Sequence, residues 1–154
     1  MRSEPAPRAK RTQRLCALPE HPAEKLRVAV HPGCIACSTY NPLGLQLKFE
    51  YEAGGCVSCR FDRGRDFPGA PDRLHEGVTG TLLQSTMTHC LFARGVVGDI
   101  EKLSIRYLES VDTDPELRVR ARISHIRQGS YDVEAELVQD GRCRALARGS
   151  FTTR

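Results

Sequence analysis

The chain has 154 residues, 40% of them apolar, which suits one domain built around one core. Its net charge of +4 sits in residues 1–14, where Arg2, Arg8, Lys10, Arg11 and Arg14 face only Glu4, leaving 18 basic and 18 acidic side chains in the rest. A neutral body argues against a nucleic-acid partner, which needs a basic face on the folded domain. No apolar run approaches the roughly 18 residues of a membrane-spanning helix, and no secretory apolar segment is present. The expectation is a cytoplasmic protein with no membrane partner.

Residues 1–25 carry Pro5, Pro7, Pro19 and Pro22 and no sustained periodicity, so they read as a basic, disordered tail before a single domain at 26–154. Seven cysteines, an odd number with no secretory signal, argue for reduced thiols. Cys34-x2-Cys37 and, 18 residues on, Cys56-x2-Cys59 have zinc-ribbon spacing, with His31 as a possible extra ligand. Against zinc, Cys56 and Cys59 lie an odd number of residues apart and point to opposite faces of a regular strand. The favoured reading is therefore buried or edge thiols and no metal.

Leu45, Leu47, Phe49 and Tyr51 alternate with Gln46, Lys48, Glu50 and Glu52, predicting a half-buried strand. Ala53-Gly54-Gly55 turns the chain, and Val57, Cys59 and Phe61 share a face on the return, predicting a hairpin. After a loop over residues 63–73, His75 to Gly95 reads as one helix of about five turns, free of Lys, Asp and Glu between Gly77 and Ala93. Such a helix has to be wrapped by the fold. Gly77, Thr81, Gln84 and Thr88 recur at helical spacing and form a polar stripe on it. They either bond to nearby backbone or face a ligand cavity. Alternating runs at Leu103–Tyr107, Leu117–Ile123, Tyr131–Leu137 and Cys143–Phe151, separated by Gln128-Gly129-Ser130 and Asp140-Gly141, predict four antiparallel strands. The rows Arg118/Arg120/Arg122 and Asp132/Glu134/Glu136 are expected to pair across the outer face.

From His75 the pattern His-x-Gly-Val-x-x-x-Leu-Leu-x-x-x-Met-Thr resembles the start of the central helix of hotdog-fold acyl-CoA thioesterases of the phenylacetate-degradation (PaaI-like) type. Cys34-Ile35-Ala36-Cys37 with Asn41-Pro42-Leu43-Gly44-Leu45 resembles the segment that opens their domain, and Ser104–Val111 the strand after their helix. The resemblance spans roughly residues 31–153. It implies an α+β fold, in which a curved antiparallel sheet wraps one long helix, consistent with the strand order read above. It also implies a homodimer or homotetramer that binds an acyl-CoA thioester between subunits, with coenzyme A as part of the substrate and no separate cofactor.

The resemblance suggests site residues too. His75 is either a general base or a cap on the helix start. The Glu76 and Gly77 amides, at the positive end of the helix, suit a thioester oxyanion, and Glu76 stands where the family usually has glycine. Nine residues after His75 the family carries an Asp or Glu that acts on the thioester. Here that position is Gln84, which cannot take a proton at neutral pH. Thr88 matches a hydroxyl contact. The residues imply either a thioesterase, weakened by Gln84, or a non-catalytic acyl-thioester binder; a zinc-binding interaction module built on the cysteines is a third reading. His89 reads as packed or interfacial, and His125 as a core histidine on the inner phase of its strand.

Overall fold

The apolar run after His75 forms helix α2, Glu76–Phe92, and from Ser85 onward every residue of it is buried. Apolar side chains cover most of the circumference of this helix, so the sheet has to curve around it. The structure, a computed structural model, describes residues 21–154. Around α2 it places α1 (Pro22–Val30), β1 (Phe49–Tyr51), β2 (Val57–Phe61), a short 3-10 turn at Gly64–Asp66, and then β3 (Gly98–Tyr107), β4 (Leu117–Arg127), β5 (Ser130–Gln139) and β6 (Arg142–Thr153). All pairings are antiparallel, in the order β1-β2-β4-β5-β6-β3. The predicted sequence of two strands, one buried helix and four strands is the observed one. No described helix is long and apolar enough to cross a membrane.

The register shows how the sheet accommodates the helix. Val57, Ala121, Ala135, Ala147 and Ile105 lie opposite one another from β2 to β3, so three adjacent strands present a methyl group in one row. Beside that row, a Cβ on Gly149 would stand 2.8 Å from Met87 Cε. Small residues in the middle and Leu82, Leu83, Met87 and Leu91 on the helix thus fill one core with little spare volume. Truncating one of these buried leucines to alanine typically costs about 2–5 kcal/mol. Bulges at Ile100/Lys102, Ile123/His125 and Leu137/Val138 add the curvature.

Several expectations are corrected. The expected tail falls mostly outside the described residues, but residues 22–25 begin α1, with Pro22 at its first turn and His21 Nδ1 accepting from Ala23 N–H at 3.2 Å. Ala23 of α1 is buried, and Leu26, Arg27 and Val30 on the same side are half-buried. The strand expected from Leu45 begins at Phe49. Leu45 and Leu47 are buried as predicted, yet their N–H groups donate to Ile35 and Ala36 carbonyls of a loop, at 2.7 and 2.9 Å. His125 is exposed rather than in the core, because the bulge at Ile123/His125 reverses the strand's phase. Of the expected cross-strand charge pairs, Arg122–Glu134 forms at 3.2 Å. Arg118 and Arg120 turn the other way, toward Glu50 in β1 and Glu52 just after it.

His89 ties the amino-terminal helix to the core. Its ring stacks on Phe49 at 3.6 Å, and its Nδ1 lies 2.9 Å from the Tyr51 hydroxyl. That hydroxyl donates its one proton to Glu24 Oε1 at 3.0 Å, so His89 Nδ1 carries the hydrogen and Nε2 is a bare, buried lone pair. Glu24 is held in turn by Arg27 at 2.8 Å, and His21 stacks on Tyr51. Burial first, then the positive charges of His31 and Arg27, push the His89 pKa down to about 3.

This depression makes stability depend on pH. The unfolded chain binds a proton at His89 near pH 6.5 and the folded chain does so only near 3. The contribution is therefore complete above about pH 6.5 and is lost as pH falls toward 3. Acidification from about pH 7 to about pH 5 should cost on the order of 2 kcal/mol, and His89→Phe should flatten that slope. Chemical denaturation at both pH values checks this; equal slopes for the two proteins would refute it.

Candidate active site

The turn leading into α2 is fixed before the helix begins. Leu74 N–H donates to the Val111 carbonyl at 2.8 Å and His75 N–H to the Phe67 carbonyl at 3.1 Å. His75 has extended backbone, and its Nδ1 accepts from Gly77 N–H at 2.9 Å. The side chain therefore caps the helix, one of the two roles the sequence left open. The cap also alters the expected oxyanion site. The Gly77 amide is already engaged, whereas Glu76, first in the helix, has no carbonyl one turn back to receive its N–H. His75, Glu76 and Gly77 are all exposed, and the Tyr107 hydroxyl donates to the Glu76 carbonyl at 3.0 Å. Tyr107 belongs to β3, so this bond holds the sheet edge against the helix start, a contact that local periodicity does not reveal.

The polar stripe is satisfied within the helix. Thr81 Oγ1 donates to the Gly77 carbonyl at 2.9 Å, and Thr88 Oγ1 to the Gln84 carbonyl at 3.1 Å. Gln84 Nε2 in turn donates to Thr88 Oγ1 at 3.0 Å. The hydroxyls thus bond locally, the first of the two alternatives, while Gln84 is half-buried with its side-chain carbonyl free to accept. Gly80 lies on the same side, where a Cβ would come 3.2 Å from Ile105 of β3.

One chain does not bring the candidate residues together. Gly77 and Gln84 share a helix face but are seven residues apart, about 10 Å along the axis, and Glu76 is about 12 Å from Gln84. A single reacting carbonyl cannot touch both. Beyond them lies β3, an edge strand exposed along most of its length, with Ile100, Leu103 and Tyr107 each more than a third accessible. A depression of about 560 Å³ between the Leu45–Lys48 segment and β2, lined in part by Arg60, Arg63 and Glu116, lies away from these residues.

The four-cysteine zinc set does not form. Cys59 is buried in β2 opposite Val119, whereas Cys56 precedes the strand and lies near Cys90. Burial pushes the Cys59 and Cys90 thiols up to about 12, which leaves them neutral packing groups. Cys34 and Cys37 instead lie beside His31, and the ligand atoms of these three are within 4.8 Å of one another.

No protein-family model matches the sequence, and no curated protein matches it. Solved structures do match. A thioesterase superfamily protein aligns over 77% of this chain at a TM-score of 0.72 and 19% identity, and this chain spans 62% of that protein's length. The Escherichia coli PaaI protein from the phenylacetic acid degradation operon aligns over 71% of this chain and 80% of its own, at 0.66 and 16%. A hypothetical thioesterase from Streptococcus pneumoniae, solved with coenzyme A, aligns over 70% and 87%, at 0.65 and 18%. This chain has the α+β hotdog fold of thioesterase superfamily proteins, a curved antiparallel sheet around one central helix.

Proposed function

We propose that this protein binds an acyl-CoA-type thioester between two copies of the chain and hydrolyses it slowly. The observation that carries the proposal is the split of the candidate residues along α2, with an open amide at Glu76 near its start and Gln84 about 12 Å away. A second copy docked along β3 brings the start of one helix toward Gln84 of the other. It also covers the exposed Ile100, Leu103 and Tyr107 and an unpaired strand edge, which natural sheets otherwise protect. The coenzyme A bound to the S. pneumoniae protein of the same fold supports the ligand class.

In this reading the Glu76 amide polarises the thioester carbonyl, a kind of contact typically worth about 3–4 kcal/mol to the transition state. Gln84 positions water through its carbonyl end, with its N–H held by Thr88. No proton acceptor is present at that position, and general-base help is typically worth 10² to 10⁴-fold, so turnover is slow. The same substitution favours a second reading, a binder that holds the acyl thioester without cleaving it. Hydrolysis of a panel of acyl-CoAs, measured beside their binding, separates the two: binding with no turnover above background selects the binder.

Gln84→Asp should raise thioester hydrolysis by about tenfold or more, while Gln84→Ala should lower residual turnover and leave affinity almost unchanged. An inert Gln84→Asp in a protein that already turns over briskly would place the base elsewhere. His75→Ala should destabilise by about 1 kcal/mol through loss of the cap, with His75→Asn retaining most of it. A pH–rate profile that loses a limb near neutrality in His75→Asn would instead assign His75 to proton transfer. Sedimentation at micromolar concentration should show a dimer or a multiple of it, shifted toward monomer by Leu103→Glu. A stable monomer would remove the shared site.

A further inference from the structure

The three donors His31, Cys34 and Cys37 sit in a loop whose shape is settled without them. Every main-chain carbonyl from His31 to Cys37 is taken. Cys34 N–H donates to His31, Ser38 Oγ to Pro32 and Asn41 Nδ2 to Gly33. Ser38 N–H donates to Cys34, Leu45 N–H to Ile35, Leu47 N–H to Ala36 and Arg27 Nη1 to Cys37. Gly44 permits the close approach, since a Cβ there would fall 2.4 Å from the Ile35 carbonyl oxygen. A loop so fully bonded holds its side chains in place before any ligand arrives.

What the loop presents has the geometry of a soft-metal site. His31 Nδ1 lies 3.5 Å from Cys37 Sγ, and a tetrahedral zinc with bonds of about 2.05 Å to nitrogen and 2.3 Å to sulfur sets its ligands about 3.6 Å apart. Cys34 Sγ accepts the Ala36 N–H at 3.4 Å, a bond that stabilises a thiolate and orients it. The Phe92 ring meets His31 edge-on at 5.2 Å and fixes the imidazole from behind. Zn²⁺ with two thiolates and a neutral imidazole carries no net charge, which suits a site where Cys37 is buried and the other two donors are half-buried.

We propose that His31, Cys34 and Cys37 bind one zinc ion per chain, with water in the fourth position, on the solvent side of the loop. The metal pins the end of α1, where Arg27 already reaches the Cys37 carbonyl, to the loop that covers the core through Leu45 and Leu47. It is separate from the α2 residues and independent of the thioester reading. It also replaces the four-cysteine arrangement that the spacing suggested.

The test uses full-length, tag-free protein purified under reducing conditions without chelator. Metal analysis should find about one zinc per chain. Cobalt(II) added to the stripped, reduced wild type should give a thiolate charge-transfer band in the near ultraviolet and strong red-region bands of a tetrahedral site. His31→Ala, Cys34→Ser and Cys37→Ser should each remove those bands, while Cys56→Ser and Cys143→Ser keep them. Because cobalt is read on the wild type, the result does not depend on whether a variant folds. A pale octahedral cobalt spectrum in wild type would overturn the proposal, as would bands that survive Cys34→Ser and Cys37→Ser. Isolation of the protein with a Cys34–Cys37 disulfide in place of metal would also overturn it.

Discussion

Packing α2 into the concave face of the sheet is the constraint from which the other features follow. The helix is apolar around most of its circumference, so leaving an apolar flank open would expose leucine, methionine or phenylalanine at roughly 1.5–3 kcal/mol for each fully uncovered side chain. The row Val57–Ala121–Ala135–Ala147–Ile105 lowers the floor of the sheet under the helix, and the bulges bend its strands around it. The same requirement draws in parts of the chain that are neither helix nor strand. Leu45 and Leu47 close the core from a loop, and the His89–Tyr51–Glu24 chain of hydrogen bonds seats α1 on the end of α2.

Covering α2 this way leaves one boundary unfinished. The helix packs most closely on β4 and β5, in the middle of the sheet, and meets β3 beside Leu91, where Gly98 approaches it, and near its own start. There Gly80 admits Ile105, and Tyr107 bonds to the Glu76 carbonyl. The outcome is an edge strand that is well paired on one side, bare on the other, and adjacent to the polar stripe of the helix. The stripe is stable as it stands because Thr81, Gln84 and Thr88 satisfy one another and the backbone, so the helix keeps polar groups in a mostly buried setting without a ligand.

The residues around that stripe divide by the work they do in this fold. His75 spends its Nδ1 lone pair on the Gly77 amide, which stabilises the helix start and withdraws one donor from any ligand. Glu76 replaces a glycine of the usual pattern without disturbing the turn, because its backbone is the first residue of a regular helix. Gln84 donates its Nε2 hydrogen to Thr88 Oγ1 and its main-chain carbonyl accepts from the same hydroxyl. Of these three positions, Glu76 and Gln84 are where this chain departs from the pattern it resembles.

Local periodicity alone was enough to read the buried helix, the alternating strands, the hairpin face of Val57, Cys59 and Phe61, and the order of the elements, because each depends on which side of its own element a residue occupies. The glutamine at the ninth position after His75 was equally legible, as a departure from a recognised pattern. Other features depended on partners distant in the chain. α1 begins in the stretch read as a tail, and Glu24, Arg27 and His21 hold it through bonds to Tyr51, the Cys37 carbonyl and the Tyr51 ring. The exposed position of His125 follows from a bulge, one extra residue that reverses the phase of a strand and leaves no mark in the pattern. Spacing grouped Cys34 and Cys37 with Cys56 and Cys59, whereas the fold carries the second pair into and beside β2 and turns His31 toward the first. Spacing can suggest a ligand set; only the path of the backbone through space decides which side chains meet.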